Sequence, residues 1–145
     1  EATMANTFAA EANLYLNTTP ARMAFAGNHN ADLRRFRATI TLAAQAIADT
    51  ITLAQIPAGA TFAFGIMTST VSLSTSTVAI GKAGTPAKYK AAAVFTAVET
   101  PTLFGLTTAM DDEPLSAAET VILTIAALAL PASGTLIVDL YFSGT

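Results

Sequence analysis

Apolar and polar residues alternate with a period of two along most of the chain after residue 32. In the segment LRRFRATITLA, residues 33–43, one face carries Phe36, Ala38, Ile40 and Leu42, and the other carries Arg35, Arg37, Thr39 and Thr41. This alternation is typical of a strand with one buried face. It recurs, with varying regularity, in residues 50–55, 61–66, 78–80, 102–108, 120–125 and 135–143. In the last of these segments we expect the inward residues to be Leu136, Val138, Leu140 and Phe142. Residues 89–97, YKAAAVFTA, fit either a strand or a short helix. The pattern predicts a mainly β protein.

Two apolar segments are each interrupted by a turn. Residues 51–64 read ITLAQIPAGATFAF, and residues 122–140 read ILTIAALALPASGTLIVDL. Pro57 followed by Gly59 is typical of a type I turn, so we expect each segment to form a hairpin or a corner where the chain crosses between sheets. Phe62, Phe64 and Ile66 should share one face. The change of parity at Val71 predicts a bulge or strand end at Gly65 or in residues 68–70.

Short strands with turn signals, and no convincing long amphipathic helix, predict an all-β fold. We expect a jelly-roll-like sandwich or barrel of about eight strands, counting one short strand near Tyr15. The main alternative is an immunoglobulin-like or fibronectin-like sandwich, although the chain lacks the Trp and Cys that would support the former. We divide the chain into an extended N-terminal arm, residues 1–32, and a β-sandwich domain, residues 33–145.

Candidate partner-binding residues fall in two groups. In the Asn-rich arm, isolated apolar residues are candidate anchors for a neighbouring protein, and these are Phe8, Leu14, Tyr15 and Leu16. At the start of the domain, Arg34, Arg35 and Arg37 form the one charge cluster with a defined geometry. On a strand, Arg35 and Arg37 point to one side and Arg34 to the other. The cluster is either the solvated face of an exposed strand or a basic patch for an acidic partner surface.

Composition argues against several functions. Hydrophobic residues make up 52% of the chain and charged residues only 12%, so we expect part of the surface to be shared with other subunits. Residues 120–138 are uncharged and long enough to span a bilayer, but Pro131 and Gly134 at their centre would break a helix there. We therefore expect no membrane association. A net charge of −3 argues against nucleic-acid binding.

No group of residues supports catalysis or cofactor binding. His29 is the one histidine, and no Cys exists. Asp111, Asp112 and Glu113 are contiguous and lack the alternate spacing of a calcium loop. Residues 81–88, GKAGTPAK, lack the order of a phosphate-binding loop, so we interpret them as a flexible connection. The tyrosines Tyr15, Tyr89 and Tyr141 are the available aromatic platforms for a sugar. We predict a protein that is not an enzyme and has no cofactor or metal.

The chain from about residue 33 resembles the small capsid cement, or decoration, proteins of tailed bacteriophages. The resemblance rests on ITLAQIPAGATFAFGIMTST, STVAIGKAGTPAKYKAAAVFTA and ETVILTIAALALPASGTLIVDLYFSG after an Asn/Ala-rich arm. It implies a small β domain on the outer surface of an icosahedral head, made in the bacterial host cytoplasm, that binds across major capsid subunits and stabilises them. It also implies self-association, as a dimer or trimer, and arms that reach adjacent subunits. The alternative is a receptor-binding or carbohydrate-binding β module of a phage tail or fibre, or of a cell-surface adhesin.

Overall fold

The computed structural model describes residues 31–110 and 113–144, and this part of the chain contains strands and no helix. The strands are β1 (Leu33–Thr41), β2 (Thr50–Ile56), β3 (Thr61–Ser69), β4 (Thr77–Lys82), β5 (Thr85–Val94), β6 (Thr102–Phe104), β7 (Glu119–Ala126) and β8 (Thr135–Ser143). The prediction of an all-β chain of about eight strands is confirmed. The eight strands do not include the one predicted near Tyr15, which lies outside the described residues.

The strands form two four-stranded antiparallel sheets. Sheet I has the order β1-β8-β3-β6, and sheet II has the order β2-β7-β4-β5. Strands from the two halves of the chain pair in a nested way, β1 with β8, β2 with β7, β3 with β6 and β4 with β5. This nested pairing defines a jelly-roll sandwich. Two separate sheets exclude the predicted alternative of a barrel. The strand order also excludes an immunoglobulin-like or fibronectin-like sandwich, whose two sheets have different strand numbers and a different order.

Both proline-containing turns are corners between the sheets. β2 and β7 belong to sheet II, whereas β3 and β8, which follow them in the chain, belong to sheet I. Among the described strands only β4 and β5 are joined by a hairpin. Gly59 and Gly134 complete the two corners with φ of 89° and 121°, a backbone conformation that a residue with a Cβ rarely adopts. Of the two possibilities left open by the sequence, the sheet-crossing corner is the correct one.

The core lies between the sheets and is built from the inward row of each strand. In β8 this row is Leu136, Val138, Leu140 and Phe142, as the alternation predicted, and all four are at most 1% exposed. Rings of Phe62, Tyr89 and Phe142 cluster in the core with centroids 4.6–5.9 Å apart. Each fully buried side chain of this size contributes about 1.5–3 kcal/mol of hydrophobic free energy, so this row and its ring cluster hold the two sheets together.

β3 ends at Ser69, within the predicted residues 68–70, but the parity already changes earlier in the strand. A bulge lies between Phe62 and Phe64, where the register with β8 shifts by one residue. Phe62 is therefore in the core at 5% exposure, while Phe64 lies on the outer face, and the inward row resumes with Gly65 and Met67. The expectation that Phe62, Phe64 and Ile66 share a face is wrong, because the extra residue of a bulge inverts the alternation.

Three other local predictions are resolved by the structure. Residues 89–97 belong largely to a strand, since β5 runs to Val94. The strand predicted over residues 102–108 ends at Phe104. Residues 81–88 are not a flexible connection, because Ala83 and Gly84 alone separate β4 from β5.

No helix in residues 31–110 or 113–144 is long and apolar enough to cross a bilayer.

Candidate interaction surfaces

The outer side of sheet I carries an apolar and aromatic surface with a basic border. Its residues are Arg35 and Arg37 of β1, Asp139 and Tyr141 of β8, Phe64 and Ile66 of β3, and Leu103 of β6, and we call this surface the sheet I face. The rings of Phe64 and Tyr141 stack with centroids 4.6 Å apart and planes 17° from parallel. Leu103 is 69% exposed, although it is a large apolar side chain. Monomeric proteins rarely leave such a group of apolar side chains uncovered, so the face is a candidate contact surface.

A shallow groove deepens one side of this face. It has a volume of about 420 Å³ and is lined by Phe64, Leu103, Phe104, Gly105 and Met110. Met110 is 40% exposed. The groove lies at the β6 edge, where the sheet ends after a strand of three residues. It is suited to an apolar side chain of a partner, because its lining contains no charged group.

The structure places two of the three predicted arginines on the sheet I face and neutralises one of them. Arg37 donates two hydrogen bonds of 2.8 Å to the carboxylate of Asp139. The hydrogen bonds from Arg37 hold the pKa of Asp139 below its ordinary value, although burial of the carboxylate opposes them. Arg35 and Arg34 are exposed and form no ion pair with any residue in 31–110 or 113–144. The arginines available to a partner are therefore Arg35 on the sheet I face and Arg34 on the opposite side of β1.

The arm residues predicted to bind a partner, Phe8, Leu14, Tyr15 and Leu16, lie outside the described residues. Their role stays a prediction.

A second candidate surface is formed by four loops at one end of the sandwich. These loops connect β1 to β2, β3 to β4, β5 to β6 and β7 to β8, and together with the adjoining end of β5 we call them the loop end (residues 42–49, 70–76, 94–101 and 127–134). Large apolar side chains are exposed here by 46–54%, namely Ile47, Val94, Val98 and Leu128. The loop end contains two carboxylates, Asp49 and Glu99, and no Lys or Arg. It is therefore an apolar surface with an acidic border.

Backbone strain is concentrated in the loop end. Non-glycine residues with positive φ in the described part of the chain all fall within its loops, and these are Ala44, Ala48, Ser74, Glu99 and Ala127, with φ of 53–72°. Such conformations cost on the order of 1 kcal/mol each and persist where surrounding contacts enforce them.

Backbone hydrogen bonds provide this enforcement. They join neighbouring loops to one another, for example from Ala44 N to Pro131 O at 3.0 Å, or a loop to the end of a strand, as from Glu99 N to Ser69 O of β3 at 2.8 Å. Further bonds run from Leu73 N to Phe95 O and from Leu130 N to Gln45 O. Strained residues commonly mark functional regions, and here they belong to a rigidly connected set of loops.

At the opposite end of the sandwich a buried carboxylate organises two of the lysines from the β4–β5 hairpin. Glu119 accepts a 2.7 Å hydrogen bond from Lys88 and another from the hydroxyl of Tyr89, and Lys82 lies 3.8 Å from the same carboxylate. Burial raises the pKa of Glu119, but these donors and cations outweigh it, so the pKa is below its ordinary value. The cluster borders an open cleft of about 430 Å³.

Sequence reasoning missed the role of Glu119, although the sequence contains a signal for it. Glu119 continues the inward row of Val121, Leu123 and Ile125, and a carboxylate in an apolar row implies a buried partner. The partners themselves, Lys88 and Tyr89, follow from the pairing of strands and could not be read from spacing.

The structure also bears on the candidate sugar-binding and metal-binding residues. Tyr89 is fully buried, so it is not a sugar platform, and Tyr141 is stacked on Phe64. Tyr15 and His29 lie outside the described residues. Within residues 31–110 and 113–144 no three His, Cys, Asp or Glu side chains are grouped so that they could hold a metal ion.

The chain shares its fold with chains from three bacteriophage capsid structures. A chain of the cyanophage Pam1 capsid asymmetric unit matches with a TM-score of 0.67 at 18% identity, covering 89% of this chain and 97% of that one. A chain of the capsid of Ralstonia phage GP4 matches with a TM-score of 0.62 at 21% identity, covering 86% and 92%. A chain of the acidic stable capsid structure of Helicobacter pylori bacteriophage KHP30 matches with a TM-score of 0.56 at 12% identity, covering 77% and 86%.

No protein-family model and no curated protein matches the sequence. The protein is therefore known by its fold: it is an all-β jelly-roll chain whose structural neighbours are chains of phage capsid structures.

Proposed function

We propose that the protein is a structural component of a bacteriophage virion and acts as a cement, or decoration, protein. It binds the outer surface of the icosahedral head and stabilises contacts between major capsid subunits. The observation that carries this proposal is the fold likeness to chains from three phage capsid structures, which extends over 86–97% of those chains. Likeness over nearly the whole length of those chains supports a role for this chain as a structural unit of a phage shell.

The physical character of the chain agrees with a role in an assembly. Few charges cover its surface, and two apolar surfaces, the sheet I face and the loop end, remain exposed. On a capsid every copy repeats the same contacts, so individually weak contacts add up through multivalency. We propose that the arm, residues 1–32, contributes contacts to major capsid subunits through Phe8, Leu14, Tyr15 and Leu16. The exposed Arg34 and Arg35, which follow the arm directly, pair with acidic partner surfaces.

Capsids purified without this protein test the cement role. We expect such capsids to lose DNA and break at a lower temperature than complete capsids, and to regain their resistance when the purified protein is added. Deletion of residues 4–30 should abolish this recovery while the β domain still unfolds cooperatively. Capsids that are equally robust with and without the protein would contradict the proposal.

The position of the protein separates the cement role from the alternative predicted from the sequence. Electron microscopy of the virion should find many copies regularly arranged on the shell. A few copies confined to a tail tip or fibre would instead support a receptor-binding or carbohydrate-binding module.

A further inference from the structure

We propose that copies of this chain associate with one another by a heterologous contact, in which the loop end of one copy packs on the sheet I face of the next. The proposal names the surfaces for the self-association that the resemblance to cement proteins implies. It does not depend on capsid binding, because it concerns the purified chain alone.

The two surfaces are complementary in charge. The loop end carries Asp49 and Glu99 and no cation, so its border is acidic. The sheet I face has the exposed Arg35 on its border, and its carboxylate, Asp139, is already paired with Arg37. Contact of the loop end with the sheet I face would place opposite charges together, whereas contact between two loop ends would place carboxylates against carboxylates.

The two surfaces are also alike in their apolar centres. In the loop end, the strand order of sheet II lays Ile47, before β2, next to Leu128, after β7, and Val94 ends β5 on the far side of β4. On the sheet I face, the stacked pair of Phe64 and Tyr141 adjoins Leu103. An apolar centre with a charged border is the usual composition of a specific protein interface.

The loop end is organised before it binds. Its loops are joined by backbone hydrogen bonds, and five of its non-glycine residues have a positive φ that these contacts enforce. A surface that is already ordered loses little conformational entropy on association, so most of the contact free energy appears as affinity. This is an independent reason to assign an interface to the strained loops.

A contact between two different surfaces has a consequence for assembly. Each copy offers one surface of each kind, so association continues from copy to copy until a ring closes. A contact of one surface with itself would stop at two copies. A mixture of two variants, each altered on one of the two surfaces, therefore distinguishes a contact between different surfaces from a contact of one surface with itself.

Leu103→Asp and Leu128→Asp are suitable variants, because each replaces an exposed side chain on one surface alone. At concentrations where the wild-type chain forms oligomers in analytical ultracentrifugation, each variant by itself should be monomeric, with association weakened by at least about a hundredfold. An equimolar mixture should form dimers and nothing larger, because only one intact loop end can meet one intact sheet I face. The control, Ala117→Asp, is exposed at the opposite end of the sandwich and should oligomerise normally.

Charge reversal provides a second measurement that does not alter the apolar centre. Arg35→Glu and Glu99→Lys should each weaken association about two- to fivefold, and the double variant should recover most of the lost affinity. A wild-type chain that remains monomeric at millimolar concentration overturns the proposal. So does a Leu128→Asp variant that self-associates normally, or a mixture that stays monomeric. None of these results bears on capsid binding, so the cement role is tested separately.

Discussion

Replacement of Gly65 by Ala should expel the ring of Phe104 from beneath β3. Gly65 pairs with Phe104 of the edge strand β6 on one side and with Leu140 of β8 on the other. A Cβ built at position 65 would lie 2.1, 2.4 and 2.7 Å from three ring carbons of Phe104. Real Cβ atoms do not approach other atoms so closely, and the ring cannot bend. The aromatic ring occupies the space that the missing side chain leaves.

The expected loss of stability follows from the burial of that ring. Full burial of a Phe side chain contributes about 1.5–3 kcal/mol, and Phe104 is only partly buried. Ala in place of Gly within a strand returns roughly 0.5 kcal/mol, because Gly loses more conformational entropy on folding. The Gly65→Ala variant should therefore lose about 1–2 kcal/mol, which lowers the Tm by about 2–8 °C for a chain of this size.

A double-mutant cycle measured by reversible denaturant unfolding tests this explanation. Once Phe104→Ala has removed the ring, the space is empty, so adding Gly65→Ala should cost nothing further or should stabilise slightly. The two single costs are therefore expected to be strongly non-additive, with a coupling of about 1–2 kcal/mol. Additive costs would refute the reasoning, because they would mean that the ring and the new methyl group do not compete for the same space.

Three further predictions concern the carboxylates and the β4–β5 hairpin. Glu119→Gln should lose about 1–2 kcal/mol at neutral pH, because Lys88 keeps its charge without a carboxylate. In the folded protein the pKa of Glu119 is below its ordinary value of 4.5. Its contribution to the free energy of unfolding is therefore complete above pH 4.5 and is lost as the pH falls through the lower pKa of the folded state. The unfolding curves of the variant and the wild type should converge at that low pH. Asp139→Asn should lower the Tm less, because Arg37 is half exposed and water replaces its partner, and this difference should also vanish in acid. Gly81→Ala should lower the Tm by more than Gly84→Ala in thermal unfolding. A Cβ at position 81 would lie 2.2 Å from the backbone oxygen of Thr85, whereas position 84 has open space and Ala there has only the strain of a φ of 86°.

The two exposed surfaces differ in how far the sequence pointed to them. The arginines of β1 were visible as a charge cluster, but their division into a neutralised Arg37 and an available Arg34 and Arg35 depends on Asp139, which is 102 residues away in the chain. The loop end had no sequence signal, because its loops are separated by strands and are unremarkable one at a time. Only the nested strand pairing brings them to one end.

The sequence by itself determined the class of fold and most of the core. The alternation in β8 identified Leu136, Val138, Leu140 and Phe142 as inward, because the side chains of a strand point to opposite faces in turn. The turns that contain Pro57 and Gly59, and Pro131 and Gly134, marked where strands end or begin, since proline fixes φ and glycine permits a positive φ. These features depend on neighbours in the chain, so they can be read from it directly.

The tertiary structure alone decided what depends on contacts between distant residues. It moved the parity change in β3 to the bulge at Phe62–Phe64, which is set by the register with β8. It showed that the two proline-containing turns are corners between the sheets. It also showed that residues 81–88, which were expected to be a flexible connection, belong to a hairpin whose Lys82 and Lys88 contact Glu119. It also showed that the loop end and the sheet I face are two different apolar surfaces, the first with an acidic border and the second with a basic one. Bulges, ion pairs and surfaces arise from which strands lie side by side, and that choice is made by burial over the whole chain.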